Sequence, residues 1–189
     1  MRRREQGAVM VEMAIVLPVF ILLIFGMLEF GLAFKDKLAM AHATGRGSRV
    51  AAVQGNEAEA DHLILKGFES GLSAAVSLDS VLYVDIFKAN TDGSPAVWDR
   101  YVPDGSACGW SPCPAIAPGP PVYGFPADYK PCDRDTSFDP IDGVDTIGVR
   151  VTYTHTWVTG VLGFSSSTWV ETTRARMEPK VFGTQDPSC

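Results

Sequence analysis

The sequence predicts an α+β fold: a long N-terminal transmembrane helix, then a small domain with a short helix and an antiparallel sheet of about three to four strands. Three observations carry this. An apolar run near the N-terminus holds almost no charge, alternating β-formers fill two segments near the C-terminus, and a Pro- and Cys-rich excursion at about 95–140 separates those segments from an earlier one. The 189 residues are 46% hydrophobic and carry a net charge of −6. That composition allows a packed core and argues against nucleic acid as a partner, which needs clustered Lys and Arg. The charge is unevenly placed. Residues 1–55 hold seven Lys and Arg against four Asp and Glu, whereas residues 56–189 hold nine against eighteen.

Residues 1–7, Met-Arg-Arg-Arg-Glu-Gln-Gly, form a short basic leader. In residues 8–34 the only charges are Glu12 and Glu29, and 13–28 has none. As a helix this run is about 40 Å long, enough to cross a ~30 Å hydrocarbon core. The three arginines precede it, while Asp36 offsets Lys35 and Lys37 behind it, so the positive-inside rule puts the N-terminus in the cytoplasm. Pro18 kinks or locally loosens a helix, which membrane helices tolerate. A cleaved secretory signal is the rival, with Ala39-Met40-Ala41 as its site, but the run exceeds the usual ~7–15 residues and those alanines follow a charged cluster. Glu29 lies near the outer end, where a long side chain snorkels easily. The Ala-rich stretch 38–53 extends the helix outward until Gly55 and Asn56 stop it, so residues 8–55 form one unit.

Gly7-Ala8-Val9-Met10-Val11-Glu12 has the form G-x-x-x-x-E between a basic leader and an apolar helix. This resembles the processing site of type IV prepilins. The likeness extends through Leu17-Pro18, Leu28-Glu29-Phe30-Gly31 and Gly47-x-Arg49, and over residues 4–55 the chain resembles the TadE-like family of tight-adherence (Flp) pilus systems. It departs at Met13, where Flp-type prepilins often have Tyr. The resemblance implies a minor pilin or pseudopilin of the bacterial cytoplasmic membrane, with an extracytoplasmic pilin-like domain. It implies cleavage by a prepilin peptidase between Gly7 and Ala8, and association with other pilin or pseudopilin subunits, in the filament or during its assembly. It also implies a meeting between Glu12 and the freed amine of a neighbour's Ala8, each charge offsetting the other.

The body spans 56–189. Asn56 is placed to cap a helix whose apolar positions are Ala60, Leu63, Ile64 and Phe68, and Gly71 ends it. Residues 80–89 read as a first strand. Residues 146–158 alternate, with Ile147, Val149, Val151, Tyr153, His155 and Trp157 on one side, and 167–177 pair with them antiparallel after a Gly-containing turn. One apolar face per strand describes a sheet covered on one side by a helix. The 95–140 excursion holds ten of the thirteen prolines, which excludes helix and central strand there. Its aromatics, among them Trp98, Tyr101, Trp110, Tyr123, Phe125 and Tyr129, either make a subunit contact or pack the loop on its own sheet.

Cys108, Cys113, Cys132 and Cys189 all fall outside the membrane in this orientation, where disulfides persist, and three pairings are open. Zinc on Cys108, Cys113, Cys132 and a histidine has loose spacing. Asp128, Asp133, Asp135, Asp139, Asp142 and Asp145 form an acidic run without the ordered spacing of a calcium loop. No nucleophile–base pattern, phosphate loop or dinucleotide fingerprint is present, so the sequence predicts no enzyme and no cofactor. Two classes remain: an assembly subunit of a pilus apparatus, or an uncleaved membrane-anchored binding or adhesion module.

Overall fold

A computed structural model describes residues 2–72, 76–114, 129–136, 143–160, 163 and 165–179. Helix α1 runs unbroken through Arg2–Gln54 with Pro18 inside it. Helix α2, Ala60–Gly71, folds back along it. Five strands follow: β1 Val81–Ala89, β2 Pro95–Pro103, β3 Trp110–Ser111, β4 Thr146–Thr156 and β5 Ser166–Arg176. They form one sheet in the order β3-β2-β1-β4-β5 with every pairing antiparallel. The α+β class is the one read from the sequence.

One face of α1 carries the body. Its buried positions are Glu29, Ala33, Ala39, Met40, Ala43, Thr44, Gly47, Ser48 and Ala51, a stripe of mostly small side chains at helical spacing. Small residues let the backbones come close. A Cβ on Gly47 would stand 3.4 Å from the Ile64 carbonyl oxygen and 3.6 Å from Val149 Cγ1, and one on Gly71 only 2.6 Å from Ala43 Cα. Against this stripe pack Ile64, Leu65 and Phe68 of α2 and the inner faces of the sheet: Val84, Ile86, Ile147, Val149, Val151 and Tyr153. At ~1.5–3 kcal/mol per buried aliphatic or aromatic side chain, this cluster is the body's main source of stability.

Two readings need correction. Residues 95–103 lie in the stretch from which proline excluded a strand, yet they form β2. Pro95 and Pro103 are its two ends, where a missing N–H costs least, and the residues between them pair with β1 from Val97↔Lys88 to Tyr101↔Val84. Asn56 does not cap α2: the N-cap is Glu59, without a side-chain hydrogen bond, and Asn56 is buried with Nδ2 donating to Thr136 Oγ1 at 2.9 Å. Much of the 95–140 excursion, with Tyr123, Phe125, Asp128 and Asp139, lies outside the described residues, as do Asp142 and Cys189.

Candidate functional site

The residues picked out for processing and assembly sit on the free half of α1. Gly7 is exposed, and a Cβ built there would meet nothing within 4 Å. Nothing in the described fold therefore asks for glycine at this position, although glycine costs a helix about 1 kcal/mol relative to alanine. Ala8 follows in the same helix. Glu12 is exposed among Met10, Val11 and Met13, and no hydrogen bond or ion pair joins it to another described residue. Everything from Val9 to Phe25 is exposed, apolar apart from Glu12, and unpartnered by the body.

At Glu29 the helix changes surroundings. Glu29 is 2% exposed and does not snorkel: its carboxylate accepts from the backbone N–H groups of Val158, at 3.0 Å, and of Thr159. Those amides belong to the turn between β4 and β5, so a carboxylate of the helix satisfies the tip of a hairpin more than a hundred residues away. Phe30 meets the edge of Trp157 at 6.3 Å between ring centroids. Two turns on, Asp36 accepts from His155 Nδ1 at 2.7 Å, and the imidazole stacks on Trp169 at 5.4 Å. Thr44 and Thr173 share a hydroxyl–hydroxyl bond of 3.0 Å, Ser48 Oγ donates to the Thr173 carbonyl, and the Glu178 N–H reaches the Ala52 carbonyl. Tyr153 lies in this seam, and its hydroxyl pKa is pushed up to about 12 by burial first, then by Glu171 and Asp36. Sequence reading missed the Glu29 and Asp36 roles. The signal was there in part: 29, 36, 40, 44 and 48 share one face of α1.

A second polar centre roots the excursion. Arg134 is buried and reaches three groups: Asp61 Oδ1 at 2.6 Å, the Gly55 carbonyl at 2.9 Å and the Tyr129 carbonyl at 2.9 Å. The other Asp61 oxygen accepts from the Tyr101 hydroxyl at 2.6 Å. Burial pulls the Arg134 pKa down, but Asp61 and the tyrosines outweigh it and leave the guanidinium above its ordinary value. Asp145 takes the Lys88 ammonium at 2.6 Å, the Tyr129 hydroxyl and the Asp135 N–H. Burial pushes the Tyr129 hydroxyl well above its usual range. Trp110 packs edge-on against Phe68, and its Nε1 donates to Glu69 Oε1 at 2.6 Å. The described aromatics of this region thus divide: Tyr101, Trp110 and Tyr129 pack the chain on its own core, while Trp98 stays 45% exposed.

Cys108 and Cys113 form a disulfide with Cα atoms 5.8 Å apart, and Cys132 is disulfide-bonded as well. A zinc site on these three is therefore ruled out, since oxidised sulfurs cannot ligate as thiolates. Asp133, Asp135 and Asp145 do not converge with other ligands: among the described residues no group of three or more His, Cys, Asp and Glu is placed to hold a metal.

Comparison with known proteins meets this geometry at the helix. A family model described as TadE-like protein matches residues 7–49. No curated protein and no solved structure matches significantly. The matched segment contains Gly7, Glu12, Glu29, Asp36 and Gly47, the free half of α1 together with most of the face that receives the sheet. From residue 7 to residue 49 this chain is similar to the TadE-like family.

Proposed function

We propose that this protein is a non-catalytic assembly subunit, a minor pilin or pseudopilin, of a tight-adherence type IV pilus system. It is held in the cytoplasmic membrane by residues 8–34, with its N-terminus in the cytoplasm and its body outside. A prepilin peptidase cuts between Gly7 and Ala8, and the freed amine of Ala8 meets Glu12 of a neighbouring pilin or pseudopilin subunit. The observation that carries this reading is the contrast within α1: an apolar half with one lone carboxylate and an unexplained glycine, continuous with a half that buries one face against the body. A carboxylate held at the edge of hydrocarbon costs roughly 1–3 kcal/mol, and a cationic partner from another chain offsets it.

N-terminal sequencing of protein from cells with and without the peptidase tests the proposal. Cleaved protein begins Ala8-Val9-Met10, Gly7→Leu blocks cleavage, and Glu12→Gln spares cleavage while impairing assembly. Recovery of an intact leader from both strains refutes processing and leaves an uncleaved anchored binding or adhesion module.

A further inference from the structure

The β4–β5 hairpin reaches the anchor at a particular depth. Counting about 1.5 Å per residue from Val9, a ~30 Å hydrocarbon layer ends near Leu28, one residue before the Glu29 clamp. The hairpin tip therefore lies at the outer boundary of the layer. Its Val158 is 73% exposed and walls a hollow of about 420 Å3 with Phe25, Leu28 and Leu32 of the anchor. A second groove, of about 470 Å3, runs between α1 and the β4–β5 pair. Phe30, Phe34, Trp169 and Val170 line it, Tyr153 forms part of its floor, and Lys37 closes its upper end. Phe34 is 74% exposed, a large apolar surface just beyond the hydrocarbon boundary.

We propose that this groove holds one phospholipid of the outer leaflet, with an acyl chain against Phe30, Phe34 and Trp169 and the phosphate on Lys37. The inference rests on the membrane-anchor reading. Three features select a lipid as occupant. The groove is continuous with the lipid-facing surface of α1, and its lining is mostly apolar. Its one cation stands on the side away from the hydrocarbon. Lys37 lies about 13 Å beyond Leu28 along the axis, but helical side chains lean toward the N-terminus and lysine snorkels, so its ammonium falls back toward phosphate depth. Trp157 and Trp169 complete an aromatic collar of the kind found where hydrocarbon meets headgroups.

The test uses the full chain in nanodiscs of phosphatidylcholine and phosphatidylglycerol brominated on the upper acyl carbons. Tryptophan emission is quenched on contact with such lipid. The expected result is strong quenching in Trp157→Phe and in the Trp98→Phe/Trp157→Phe double variant, most of it lost when Trp169→Phe is added. Lys37→Gln, a change at an exposed side chain that leaves the fold alone, lowers the preference for phosphatidylglycerol about fivefold. Protein that co-elutes with the discs but whose Trp169 is unquenched overturns the lipid site and leaves the anchor standing. Quenching that disappears when each disc carries two copies assigns the groove to a neighbouring helix and also overturns it. Protein that elutes apart from the discs overturns the anchor reading and this inference together.

Discussion

The two halves of α1 share one backbone and present different surfaces. From Val9 to Phe25 apolar side chains point in every direction and all are exposed. From Glu29 to Gln54 the buried positions narrow to one stripe, mostly Ala, Met and Gly, with Asp36, Thr44 and Ser48 set along it and bonded to β4 or β5. A helix apolar all round asks for lipid or other helices, whereas a striped one asks for a sheet. The change comes within one turn, at a carboxylate.

The sharpest way to break this comparison is to cut the helix. Removal of residues 1–28 abolishes membrane retention and leaves a body that melts cooperatively. Removal of residues 1–45 takes Met40, Ala43 and Thr44 from the core and yields aggregate. Circular dichroism melting and sedimentation separate the two outcomes. Next in size is Arg134→Met, which strands Asp61 without its cation. Loss of about 3–5 kcal/mol is expected in urea unfolding, against about 0–1 kcal/mol for Lys88→Met, whose ammonium is half exposed. Gly148→Ala follows: the new Cβ would sit 2.2 Å from the Phe87 ring, an overpacking of about 1–3 kcal/mol, and adding Phe87→Leu recovers most of it.

A pH titration probes the seam between the halves. Unfolded tyrosine ionises near pH 10, whereas folded Tyr153 keeps its proton to about 12, so above pH 10 the unfolded chain binds fewer protons. Stability therefore falls as pH rises from 10 toward 12, and Tyr153→Phe makes that fall shallower. The smallest effect is the most local. Glu29→Gln leaves the melting of the body nearly unchanged but speeds amide hydrogen exchange at Val158 and Thr159, because a neutral amide accepts less strongly than a carboxylate.

What the sequence showed and what it hid divide along a physical line. Apolar run length, β-former content and periodicity made α1, α2, β1, β4 and β5 legible, because each depends on the side chains of its own segment. β2 was obscured by counting prolines without asking where in the strand they fall. Glu29, Asp36 and Asn56 were read from their neighbours in the chain, yet their partners lie 80 to 130 residues away. No local pattern announces such a bond. Gly7 and Glu12 are the reverse case: their motif is plain in the sequence, and the described residues of a single chain supply no partner for either.

The attachments at Glu29, Asp36, Thr44 and Ser48 lie along some 28 Å of one helix, with no hinge between anchor and body. Mechanically, that makes the helix a shaft and the sheet a vane keyed to it. A pull along the axis loads these bonds together in shear instead of peeling them one by one, and a twist of the shaft turns the vane by the same angle. Force or rotation applied to the free half of α1 thus reaches the sheet through all of these bonds at once.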